Sequence, residues 1–146
     1  MLFAISVVFI LLVAFKIYTV KGVPEWVEQF TSSGKELSDY SQVDSLSSDE
    51  VMLVKVYASW CPHCVKMEGE WDKTYDELNG KEINGKKVSV VAVGENNSNQ
   101  SKLMKQFNIS GYPTIVALSR VNDKVVAKPH NGERTKSGFV SFAKSI

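Results

Sequence analysis

The sequence predicts an α/β domain: a central mixed sheet with helices on both faces. Three observations predict it. Apolar, β-branched runs at residues 51–58, 87–93 and 114–119 read as buried strands. Amphipathic stretches alternate with them, one after Cys64 and one over residues 136–145. Asn-Gly and Gly-Tyr-Pro steps break the chain between these segments.

Each element follows in order. Residues 2–15 carry no charge, and Ser6 is their one polar side chain. Lys16, a further apolar group at 17–20 and Lys21 come next. Counted to Val20, this approaches the ~17–25 residues of a spanning helix. Counted to Phe15, it approaches the core of a secretory signal. Residues 1–21 are therefore expected to be a membrane anchor or a signal segment, with the uncleaved single-pass anchor favoured. Residues 22–45 are expected to be a juxtamembrane linker, with a short helix around Pro24, Trp26, Val27 and Phe30. The domain is expected over residues 46–146.

Within it, the strand at 51–58 leads into Trp60-Cys61-Pro62-His63-Cys64. Val65, Met67, Trp71, Tyr75 and Leu78 then recur at helical spacing to about Asn79. Asn79-Gly80 and Asn84-Gly85 break the chain before the strand at 87–93. Leu103, Met104 and Phe107 mark a short helix over 102–107. Strand, helix, strand implies a parallel pair with a crossover. Gly111-Tyr112-Pro113 turns the chain into the strand at 114–119. Asn122-Asp123 predicts a hairpin into 124–128. Phe139, Val140, Phe142 and Ala143 mark a closing helix.

The two cysteines of the chain sit where a strand ends and a helix begins. Unpaired N–H groups and the helix dipole favour an anion in that first turn. Cys61 is placed to be that anion as a thiolate. Pro62 suits the first helical position, where an N–H has no partner. His63 adds a polar neighbour that can carry positive charge. Cys64 is close enough to close a small disulfide onto Cys61. A thiolate attacks a disulfide, and a second thiol resolves the mixed disulfide. Two other readings compete. A structural disulfide over so short a loop contributes little stability. A zinc site needs about four ligands, and only His130 is left to join Cys61, His63 and Cys64. The pattern calls for neither a metal nor a cofactor.

Composition narrows the class. At 146 residues and 44% hydrophobic content, the chain can build one domain with its own core. A net charge of +1 gives no reason to expect nucleic acid. Topology has two opposed hints. Lys16 and Lys21 follow the apolar segment and favour a cytosolic domain. Sequons at Asn96, Asn99 and Asn108 matter only in a secretory lumen.

The ordered set resembles the thioredoxin superfamily, and within it the catalytic domains of protein disulfide isomerase. The resemblance rests on residues 54–64, on Phe107-Asn108-Ile109-Ser110-Gly111-Tyr112-Pro113-Thr114, and on Asn131-Gly132-Glu133-Arg134-Thr135 followed by Gly138-Phe139-Val140. It implies a thioredoxin-like fold and a protein thiol–disulfide oxidoreductase of oxidase or isomerase type. Cys61 and Cys64 would form its redox disulfide. It implies protein or peptide substrates with thiols or disulfides, and a partner that re-oxidises or reduces the pair. Residues 2–20 would tether the domain to a membrane. The expected place is a secretory, ER-type lumen, with the cytosolic side left open. Pro113 is expected to be cis and to face the sulfurs. Tyr112 would offer backbone groups to an extended peptide, and Trp60 would flank the disulfide as substrate surface. Arg134 would approach the active site as a cation that lowers the Cys64 thiol and hastens resolution of the mixed disulfide.

The chain departs from the family at three places. The acidic residue usual six positions before the first cysteine is Lys55, which can act as a base, stabilise thiolate, or turn outward. The usual helix proline is Gly69. The dipeptide Pro62-His63 is similar to that of the strongly oxidising bacterial periplasmic disulfide oxidase. Two alternatives remain at this stage: an anchored, cytosol-facing reductase, and a non-catalytic peptide-binding or chaperone module.

Overall fold

The computed structural model describes residues 36–146, all within one compact unit. The expected anchor at residues 2–20 and the short helix near Trp26 lie outside the described residues. Among the described residues, no helix is long and apolar enough to cross a membrane.

Five strands, β1 (Glu50–Val56), β2 (Glu82–Ile83), β3 (Lys86–Val93), β4 (Thr114–Val121) and β5 (Lys124–Pro129), form one sheet. Its order is β2-β3-β1-β4-β5. The central strand β1 runs parallel to β3, with Val54 beside Val91, and antiparallel to β4, with Val54 beside Val116. Four helices complete the described fold: α1 (Ser41–Asp44), α2 (Pro62–Leu78), α3 (Gln100–Gln106) and α4 (Lys136–Lys144).

Successive strand residues point to opposite faces, and this divides the core in two. Met52, Val54 and Val56 pack on one face with Leu37, Val43 and Leu103. Val51 and Leu53 pack on the other with Trp71, Phe139 and Phe142 from α2 and α4. Lys55 shares this second face by alternation, although it is charged.

The mixed sheet with helices on both faces is present, but some boundaries differ. The strand expected over 51–58 ends at Val56, and Tyr57 and Ala58 lead into the active-site turn. The step at Asn84-Gly85 is a tight hairpin, not a plain break. Asn84 (φ 53) and Gly85 (φ 74) take left-handed conformations, and β2 pairs back onto β3. The hairpin at Asn122-Asp123 is present, with φ 48 and 61. Helix α2 runs unbroken through Gly69.

The largest difference is upstream. The stretch before residue 46 was expected to be linker, yet Leu37, Tyr40 and Val43 are buried in the core. Glu36 bridges to Ala92 beside β3, and the Leu37 N–H donates to the Ala92 carbonyl at 3.0 Å. The Arg120 guanidinium donates to the carbonyls of Asp44 and Leu46 and pins the segment to β4. Four helical residues among serines develop no periodicity, so the sequence hid this docking.

Candidate active site

The site is built at the C-terminal end of β1. The Cys61 N–H donates to the Ala58 carbonyl at 3.1 Å, which turns the chain out of the strand. Cys61 then takes the N-cap of α2 with extended backbone (φ −85, ψ 113), and Pro62 occupies the first turn. Its sulfur accepts the Cys64 N–H at 3.4 Å. A serine or aspartate oxygen commonly makes this capping contact, so the helix start solvates a sulfur anion as it would an oxygen.

Both cysteines are free thiols. Both are buried, with Cys61 at 5% exposure and Cys64 at 1%. Burial pushes the Cys61 thiol up. Hydrogen bonds from the Cys64 side chain and from the N–H groups of Cys64 and His63, with the charge of Arg134, outweigh it. The net direction is below an ordinary thiol. Cys64 goes the other way. Burial and its hydrogen bond to Cys61 push it up to about 11, against opposing pulls from the Ala58 backbone and, more weakly, from the charge of Lys55. The two thiols are thus shifted in opposite directions, Cys61 down and Cys64 up.

Around the sulfurs, Ala58, Tyr57 and Tyr112 pack as one cluster. The Tyr112–Pro113 bond is cis, and Pro113 is buried. The Tyr112 hydroxyl donates to Gln100 Oε1 at 2.9 Å, and Gln100 Nε2 donates to the Tyr57 carbonyl at 3.0 Å. Gln100 therefore ties the two loops that flank the cysteines. Trp60 is 72% exposed, and its ring meets Tyr112 edge-on at 6.0 Å. Trp60 therefore stands on the surface beside the buried sulfur pair and not in the core.

The other expected residues divide. Arg134 is exposed, and its charge acts on Cys61 and not on Cys64, where the resemblance had placed it. His63 contributes its backbone N–H, while its side chain is exposed. Lys55 does not turn outward: it is fully buried, and its Nζ lies 2.7 Å from Glu68 Oε2. Among the described residues, no group of three or more His, Cys, Asp or Glu side chains is arranged to hold a metal.

Sequence reasoning missed Glu68, Glu95 and Gln100. Glu95 accepts the Ser59 N–H on both carboxylate oxygens at 3.0 Å and also takes the Ser59 hydroxyl, which holds the turn before Trp60. A lysine in the middle of a buried strand calls for a carboxylate. Glu68, one helical turn after Cys64, was the available signal.

The family model described as Thioredoxin matches residues 34–145, and the chain belongs to the thioredoxin family. Its domain is homologous to those of protein disulfide isomerases. It is 37% identical over 102 residues to the protein disulfide-isomerase A6 homolog of Drosophila melanogaster, across 67% of this chain and 21% of that one. It is 31% identical over 102 residues to protein disulfide-isomerase 2-3 of Arabidopsis thaliana, across 69% of this chain and 21% of that one. The chain thus spans about a fifth of the length of these relatives. Among solved structures, the first thioredoxin domain of mouse protein disulfide-isomerase A4 superposes with a TM-score of 0.58 at 23% identity, covering 86% of each chain. That likeness concerns the fold.

Proposed function

We propose that this chain is a protein thiol–disulfide oxidoreductase of oxidase or isomerase type. The observation that carries the proposal is the position of Cys61. Its sulfur caps α2 and accepts the Cys64 N–H, and its thiol is held below the ordinary value. Cys61 attacks, and Cys64 resolves. Protein or peptide thiols and disulfides are the substrates, received beside Trp60 and Tyr112. A separate redox partner resets the pair.

A stabilised thiolate stabilises the reduced form, so the disulfide becomes more oxidising. The expected reduction potential therefore lies above the about −270 mV of thioredoxin, in the isomerase-to-oxidase range of about −180 to −120 mV. Equilibration of the protein against glutathione measures it. A value at or below thioredoxin's would overturn the oxidase or isomerase assignment.

The proposal places the domain in a secretory lumen, tethered through residues 2–20. Asn96 and Asn108 are exposed, and Asn108 stands in a turn with φ 53. Asn99 is half-buried, and its Nδ2 donates to the Leu37 carbonyl at 3.1 Å. Translation of the full chain into microsomes is expected to add glycans at Asn96 and Asn108 and to spare Asn99. Absence of any endoglycosidase-sensitive species would remove the lumenal placement.

A further inference from the structure

Cys64 must lose a proton before it can resolve a mixed disulfide, yet it is buried, and burial pushes its thiol up. The Ala58 backbone and, after it, the charge of Lys55 favour the thiolate. Lys55 lies on the sheet face covered by α2, fully buried. Its Nζ is 4.7 Å from the Tyr57 ring centroid and 5.7 Å from that of Trp71. Its ammonium meets Glu68 at 2.7 Å. Glu68 belongs to α2, four residues after Cys64, so both project from one face of the helix. The carboxylate that holds Lys55 is thus carried on the same helix face as the resolving sulfur, one turn along.

Burying a lysine is costly unless a carboxylate compensates it. An apolar residue at position 55 would continue the core without that cost. Glu68 is also incompletely used, because its buried Oε1 has no hydrogen-bond partner. These are features of a charge kept in place for its field, and the charge of Lys55 acts on Cys64 to favour thiolate. The ionisable groups facing Cys64 are Cys61 from the helix start, Lys55 from β1, Tyr57 from the turn after it, and Tyr112 from the turn before β4. Glu68 stands one turn along α2, and Asp72 follows a turn later on the same helix.

We propose that Lys55, anchored by Glu68, is a positioning residue for the resolving step, where its fixed positive charge stabilises the Cys64 thiolate. The proposal rests on the oxidoreductase reading and assigns a separate step within it. In that step the Cys64 thiolate attacks the Cys61 sulfur of the mixed disulfide. The Cys61–Cys64 bond forms, and the bond from Cys61 to the substrate breaks. The electron pair leaves on the substrate sulfur as thiolate, and the Cys64 proton passes to water. No outside oxidant enters.

An aromatic disulfide that yields a coloured thiolate reads the two steps apart. Attack by Cys61 releases the first equivalent, and attack by Cys64 releases the second. In Lys55→Met, the second release is expected to slow about tenfold or more relative to the first, as removal of a neighbouring opposite charge implies. Its pH profile should move to higher pH. Lys55→Arg, which keeps the charge, should recover most of the rate. Glu68→Gln should slow the second release by a smaller factor. Glu68 lies at the solvent edge, with its side chain 25% exposed, so this variant keeps the test open if Lys55→Met does not fold. An unchanged ratio of the two releases in Lys55→Met or Glu68→Gln overturns the proposal. So does a Lys55→Arg chain as slow as Lys55→Met, which would make the role one of shape. A wild-type chain that releases only one equivalent would instead overturn the paired-cysteine reading itself.

Discussion

Replacing Cys61 with serine is expected to reduce disulfide exchange to the buffer background, while replacing Cys64 with serine is expected to trap substrates. The asymmetry follows from the two sulfurs' surroundings. Cys61 receives N–H groups from the first turn of α2 and the field of Arg134, which lower its thiol and make it the readier nucleophile of the two. A serine hydroxyl there meets the same donors but does not ionise in the working pH range. Cys64 keeps its proton and waits. In Cys64→Ser, Cys61 still attacks a peptide disulfide, and no thiol remains to expel the substrate. The mixed disulfide should then accumulate as a species that dithiothreitol releases, visible on a non-reducing gel or as a mass increase equal to the bound thiol. The rate of Cys61 attack should rise with pH through the lowered Cys61 value and level off above it. A Cys61→Ser chain that retains exchange, or a Cys64→Ser chain that traps nothing, would reverse the assignment of attacker and resolver.

Much of this site was legible in the sequence because its chemistry sits in consecutive residues. Trp60 to Cys64 spell a strand end, a cap and a first turn, and local rules decide all three. Gly111-Tyr112-Pro113 announced a turn, and the structure brings Tyr112 against the cysteines. The unread parts depend on contacts between distant residues. Gln100 links Tyr57 to Tyr112, and Glu95 holds Ser59. Neither glutamine nor glutamate carries a pattern that names such a partner. Lys55 was visible as an anomaly, but its meaning was not. Strand alternation placed it with Val51 and Leu53, and its pairing required knowing which face α2 covers.

The fold divides in the same way. Strands β1, β3 and β4 were readable because they are buried β-branched runs. Strand β2 has two residues and no pattern of its own; the hairpin at Asn84-Gly85 makes it. The segment from Glu36 to Leu46 looked like linker because its apolar residues are spaced among serines and acids. Its place is set by β3 and Arg120 rather than by its own periodicity.

Trp71→Ala is expected to remove about 3–5 kcal/mol of stability, the usual range for truncating a large buried aromatic. Trp71 is fully buried and stands where three elements meet. Its ring packs edge-on against Phe139 of α4 at 5.5 Å, and the Lys55 ammonium of β1 lies 5.7 Å from it. A domain of this size holds about 5–15 kcal/mol in total, so this one side chain supports a large share of it. The indole Nε1 is buried without a hydrogen-bond partner, so the stabilisation comes from volume and contact. This separates two variants. Trp71→Phe keeps an aromatic against Phe139 and removes the unpaired N–H, so its loss should be markedly smaller than that of Trp71→Ala. Urea unfolding followed by circular dichroism, with slopes compared as well as midpoints, measures both. If Trp71→Ala melts with the wild type, or if the two variants lose equally, the core between α2 and α4 is not what holds Lys55 behind the cysteines. If they separate as expected, the aromatic contact between α2 and α4 carries much of the stability on the sheet face where Lys55 lies.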